Sequence, residues 1–274
     1  MLPWNYGFHW NTATMIFMGA FYAVVTVVAG TVLNAARRSW RVLRTQKAEH
    51  VRWDSEFHDL VAGDRACRHA LTGELAGRVC PNGFDCRECE MHRKLIPLIR
   101  QDDVPVVEEE IFGLSFPSGR LYHRGHAWVH PEADGTLTIG LDDLAQRLVS
   151  NPDRVSLPKA GQRVHVNGTA WRARKRNAVV RVLSPVDGEV VETGGPGKGW
   201  YLRVKPENSD LRHLLCPHEV KPWIQRELER LQLALAAEGA APTLADGGVP
   251  VADIAAAYPE ADWDAICGRI FLQP

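Results

Sequence analysis

Ser184-Pro185-Val186-Asp187-Gly188-Glu189-Val190-Val191-Glu192, and just before it Trp171-Arg172-Ala173-Arg174-Lys175-Arg176-Asn177-Ala178-Val179-Val180-Arg181, decide how this chain is read. Pro-Val-Asp-Gly is turn chemistry, and the short apolar-rich runs on either side of it read as strands. Outward from there the same grammar repeats. Short runs at 122–130, 137–141, 163–166, 170–173, 179–183, 188–192 and 200–204 are separated by Gly, Pro and Asp, which predicts a small flattened β-barrel or sandwich. Residues 142–148 read as a helical insert, so the fold class is α+β.

Taken with Leu121-Tyr122-His123-Arg124-Gly125-His126-Ala127-Trp128-Val129 and Gly140-Leu141-Asp142-Asp143-Leu144-Ala145, the stretch resembles the H protein of the glycine cleavage system, a relative of lipoyl and biotinyl carrier domains. The resemblance covers about 85 residues. It implies a carrier domain of the lipoyl (hammerhead) type at 119–208, with lipoate bonded to a hairpin lysine seven residues before the Ser-Pro pair. Seven residues before Ser184 stands Asn177. A carboxamide nitrogen is a poor nucleophile and does not replace an amine. The family's Glu three residues before the lysine is Arg174 here, and the segment that helps shelter the lipoyl arm has shrunk to 193–198. Lys175 is the nearest amine. A shift of two keeps the strand face but moves the tip by roughly 6 to 7 Å. The expectation is a domain without lipoate; the alternative is a lipoyl, acyl or methylamine carrier that uses Lys175.

Charge sharpens the first reading. The 274 residues carry a formal net charge of -1, yet between Arg154 and Val186 there are Arg154, Lys159, Arg163, Arg172, Arg174, Lys175, Arg176 and Arg181 with no Asp or Glu. Such a hairpin attracts an acidic protein surface or anionic lipid. Only Trp171 interleaves with these cations, so nucleic acid is not expected.

The first 36 residues contain no Lys, Arg, Asp or Glu, and 14–36 is apolar enough to cross a hydrocarbon layer of roughly 30 Å. Arg37, Arg38, Arg41, Arg44 and Lys47 follow at once, which puts the C-terminal bulk in the cytoplasm by the positive-inside rule. Gly19, Ala23, Thr26 and Gly30 share one helix face, a small-residue stripe that suits close packing on another membrane subunit or a second copy. A juxtamembrane helical linker is expected at 37–66.

Four of the six cysteines, Cys67, Cys80, Cys86 and Cys89, fall in 67–100, read as a small Cys-rich subdomain. Four thiolates can hold zinc or an iron-sulfur cluster, and Pro81-Asn82-Gly83 supplies turn residues between them. His69 and His92 are spare ligands, and reduced cysteines without metal are the plain alternative. A linker at 101–118 that includes a strand or docking segment precedes the carrier domain. After it, 217–238 reads as an amphipathic helix, 243–251 as a hairpin and 259–271 as a last helix, with Cys216 and Cys267 as buried small hydrophobes.

No nucleophile elbow, phosphate loop, zinc-protease helix or dinucleotide fingerprint occurs, and the adjacent Asp142 and Asp143 would point apart on a helix. No enzyme activity is expected. The sequence reads as a membrane-anchored scaffold or accessory subunit of a membrane complex of respiratory or redox type. An electron-transfer subunit with a cluster on the cysteines is the further alternative.

Overall fold

A computed structural model describes residues 11–45, 57–95, 109–176, 178–237 and 250–272. The chain divides into two compact units, 1–51 and 52–274. The described residues of the first form one helix, α1 (Thr12–Thr45), whose stretch Thr12–Arg37 is long and apolar enough to cross a membrane. Asn11 starts it, its side-chain oxygen accepting the Thr14 N–H at 2.8 Å. Thr26 returns its hydroxyl to the Tyr22 carbonyl at 2.7 Å, which hides the polar group within the helix. Gly19, Ala23, Thr26 and Gly30 all lie exposed on α1, and nothing approaches within 4 Å of a Cβ built at Gly19 or Gly30.

The second unit is built on antiparallel sheets. Its strands are β1 (Glu110–Ile111), β2 (Leu114–Ser115), β3 (Leu121–Tyr122), β4 (Ala127–Pro131), β5 (Leu137–Leu141), β6 (Arg154–Ser156), β7 (Arg163–Val164), β8 (Thr169–Lys175), β9 (Ala178–Leu183), β10 (Gly188–Gly195) and β11 (Trp200–Pro206). They form a six-stranded sheet in the order β3-β4-β5-β11-β10-β7, a three-stranded sheet β6-β8-β9 and the small hairpin β1-β2. Helices α2 (Arg68–Leu71) and α3 (Glu90–Leu95) precede the sheets; α4 (Asp143–Leu148), α5 (Pro217–Ala237), α6 (Ile254–Ala257) and α7 (Trp263–Ile270) follow or interrupt them. One apolar core joins both larger sheets to α4, α5 and α7 through Leu141, Leu148, Trp171, Leu202, Trp223 and Phe271.

Several boundaries differ from those read off the pattern. The run 122–130 is split: His126 adopts φ 65° and its N–H bonds the His123 carbonyl at 2.9 Å, so a turn separates β3 from β4. Where a linker is read at 101–118, residues 109–118 are folded, and Ile111, Leu114 and Phe116 are buried in the core. The segment 67–95 is not free-standing; Arg68 is buried in an ion pair with Glu219 of α5, and Arg87 reaches Asp187 at 2.7 Å. The last helix expected at 259–271 starts later, at Trp263, where Asp262 caps it, and a short helix that was not expected, α6, precedes it. The expected hairpin at 243–251 lies mostly outside the described residues, as do Asn177, Lys47 and residues 96–100.

Candidate functional site

The site expected from the sequence is the hairpin β8-β9. Trp171 and Ala173 turn inward with Val180 and Val182, and that alternation fixes which side chains are left to the outer face. Lys175 pairs with Ala178, so the connection is two residues long: Arg176 at φ 54°, and position 177, which lies outside the described residues. Asp153 holds this turn from the side, its carboxylate accepting the Arg176 N–H at 2.7 Å.

Lys175 is not a free amine. Its Nζ donates to both carboxylate oxygens of Asp253 at 2.8 Å and to the Ser150 carbonyl, and its side chain is 11% exposed. Asp253 is the N-cap of α6 and accepts the Ala256 N–H at 2.9 Å. Burial pushes the Asp253 carboxyl up, but the Lys175 ammonium and the Ala256 N–H outweigh it and hold the group below the ordinary carboxylate range. An acylated lysine would lose its charge and leave this carboxylate without its cation. The C-terminal segment thus grips the hairpin beside the connection, with Arg176 reaching the Pro259 carbonyl at 3.5 Å and Ala255, Trp263 and Cys267 lying against Ala178 and Val180. Asp253 is the residue that sequence reasoning missed. It sits 78 positions from Lys175, and nothing local marks it.

The outer face of β6-β8-β9 is basic. Arg154 stands opposite Arg174, and Arg172 opposite Arg181, so like charges meet across the strands in two adjacent rows. Like charges set directly opposite one another weaken the pairing of the strands. Val179, 42% exposed, completes the face next to Arg174. Arg172 and Arg176 are exposed, whereas Arg174, Lys175 and Arg181 are half-buried. The face and the Lys175 clamp are therefore separate features of one hairpin.

His123 and His126 are structural. His123 Nε2 meets Asn167 Oδ1 at 3.0 Å, and His126 Nδ1 meets Asp142 Oδ2 at 2.7 Å, both histidines fully enclosed. Asp142 and Asp143 do point apart: Asp142 caps α4 through the Ala145 N–H, while Asp143 turns to Arg147 and the Ser115 N–H. They cannot share a proton.

Cys67, Cys80, Cys86 and Cys89 line one pocket, together with His69 and His92, and none of the four is in a disulfide. His69 bridges Glu74 and His92 at 2.7 and 2.9 Å. Among the described residues no group of three or more His, Cys, Asp or Glu side chains is arranged as a ready-made metal site.

Known proteins resemble the β-rich part of the chain. The glycine cleavage H-protein family matches residues 120–227. The glycine cleavage system H protein of Alkalilimnicola ehrlichii is 30% identical over 125 residues, which is 40% of this chain and 96% of that protein. The H protein of Psychrobacter sp. (strain PRwf-1) is 34% identical over 107 residues, covering 34% of this chain and 85% of the relative. Among solved structures, a glycine cleavage system H protein from Mycobacterium marinum matches 40% of this chain and 98% of its own, at 22% identity and a TM-score of 0.34.

Proposed function

This chain belongs to the glycine cleavage H-protein family, and from that premise we propose that it is a membrane-anchored member that carries no lipoate and serves as an accessory subunit of a membrane complex. One observation carries the reading: the sole lysine of the hairpin is clamped by Asp253 and the Ser150 carbonyl. At the position where the family's lysine is expected the residue is Asn177. The residues present do not fit the lipoyl group. A member whose amine is held in an ion pair and whose hairpin is gripped by α6 and α7 keeps the scaffold and gives up the swinging arm.

Mass spectrometry of the Lys175 peptide, from protein isolated out of host membranes, is expected to show an unmodified amine. A lipoyl mass on Lys175 in a substantial share of molecules overturns the reading.

The anchor is α1, long and apolar enough to span, with the basic residues after it keeping the second unit on the cytoplasmic side. Its small-residue face supports packing on another membrane helix. The arginine face of β6-β8-β9 then docks an acidic surface of a neighbouring protein subunit. Reversing Arg172 and Arg174 to Glu is expected to release that subunit at markedly lower salt in a pull-down from detergent extracts, since interactions over a screened surface weaken with ionic strength. Identical retention by both forms at low and high salt removes the face from the interface.

A further inference from the structure

We propose that Cys67, Cys80, Cys86 and Cys89 together hold one zinc ion as four thiolates. The inference stands apart from the lipoate reading and uses different residues.

Two pieces of backbone deliver the sulfurs. Ala66 and Val79 pair as an antiparallel bridge; the Cys67 N–H donates to the Arg78 carbonyl at 2.8 Å and the Cys80 N–H to the Arg65 carbonyl at 2.7 Å. Cys67 and Cys80 are therefore diagonal neighbours on the same face of this ladder, a separation of about 7 to 8 Å between their Cα atoms that long side chains or an inserted ion can bridge. The chain then curls. Gly83 and Phe84 take φ 57° and 61°, and a turn closed by the Cys89 N–H on the Cys86 carbonyl at 3.2 Å brings the second pair back to the first. All four line the same pocket.

The surrounding charge is of the sign that a tetrathiolate needs. Arg68, Arg78 and Arg124 line the pocket, and Arg124 is 3% exposed. The Nε atoms of Arg78 and Arg124 and Nε2 of His92 are buried without a hydrogen-bond partner. Four thiolates around a divalent ion leave a net dianion, and it is this anion that the buried guanidiniums would face. Soft sulfur ligands select zinc over the hard cations. His69 is engaged at both ring nitrogens by Glu74 and His92, which leaves the sulfurs as the natural set. With no ion present the four sulfurs do not stand in ligating geometry. Rotation of the cysteine side chains into the shared pocket closes the site, and because thiols become thiolates, loading zinc must release protons.

The test uses the full chain, purified in detergent under reducing, anaerobic conditions without chelator. Elemental analysis is expected to find one zinc per chain, reduced at least tenfold in Cys86→Ser and Cys89→Ser and retained in Cys216→Ser, whose thiol does not line the pocket. Should the serine variants fail to fold, titration of chelator-treated wild type settles the matter: cobalt is expected to release protons to the buffer as it binds and to give thiolate charge-transfer absorption at one equivalent, and zinc then to abolish that band by displacing it. Metal-free protein with four reactive thiols and no cobalt band, a disulfide among the four, or iron with acid-labile sulfide would each overturn the proposal.

Discussion

Asp142→Ala is expected to lower the stability of the β-rich unit by roughly 3–5 kcal/mol, the cost of breaking one side of a buried ion pair, with about 1 kcal/mol more from the lost helix cap. One carboxylate oxygen of Asp142 accepts the Ala145 N–H at 2.8 Å to start α4; the other meets His126 Nδ1 at 2.7 Å, with both side chains at 0% exposure. Behind His126 lies Glu227 at 3.7 Å, an ion-pair contact too long for a hydrogen bond, and Glu227 binds Arg230, which reaches Asp64 at 3.0 Å. Burial pulls the His126 imidazole down, but Asp142 and Glu227 together lift it to about 9, so it is charged inside the fold. Removing Asp142 leaves that cation enclosed against Trp223 and Phe271 with one distant anion. Urea denaturation of the full chain in detergent measures the loss; a change under about 1 kcal/mol would mean that the pair contributes nothing net.

The same groups set a pH profile. His126, raised from 6.5 to about 9, contributes stability that is complete below pH 6.5 and is lost as the pH rises through 9. Glu227 moves the other way. Burial would raise it, but Arg230 and His126 hold it at about 2 against an ordinary 4.5, so its contribution is present above 4.5 and lost as the pH falls through 2. His123, driven by burial from 6.5 to about 3, stays neutral in the fold and withdraws stability as the pH falls below 6.5. Stability therefore peaks near pH 6.5. In Asp142→Ala the alkaline limb should flatten, because His126 loses its main lift.

Gly188→Ala is the second large effect, about 2–3 kcal/mol from overpacking. Gly188 is paired on both sides, with Pro206 of β11 and Val164 of β7. A Cβ there would lie 2.6 Å from Val204 Cγ1 and inside contact distance of the Lys205 carbonyl oxygen. The strand cannot slide away, because relieving one neighbour presses on the other. A melting temperature lower by roughly 5–10 °C is the expected reading for a unit of this size. Gly73→Ala is the contrast: φ is +88° but nothing lies within 4 Å of the new Cβ, so only backbone strain of about 1–2 kcal/mol remains. Equal losses for both variants would remove crowding as the cause at Gly188.

Where residues interact with neighbours in the chain, the sequence was a good guide. The apolar stretch before Arg37 became α1, the helical insert read at 142–148 came out at 143–148, and the amphipathic run after Pro217 became α5. The hairpin β8-β9 lies where two short strands, 170–173 and 179–183, were read between turn residues. The turn at 123–126 was not visible. His123-Arg124-Gly125-His126 falls inside a run read as one strand, and its three polar side chains are buried because Asn167, Ala66 and Asp142 come to meet them.

What the sequence by itself determined is the family and the strand grammar, since each is written in spacing and side-chain chemistry along the chain. What only the tertiary structure decided is the state of the remaining lysine and of the four sulfurs. Asp253 closes on Lys175 across 78 positions, and the Arg65–Cys80 and Cys67–Arg78 ladder brings thiols and buried guanidiniums into one pocket. Burial and pairing of charge depend on which distant segments meet, and no local pattern encodes that.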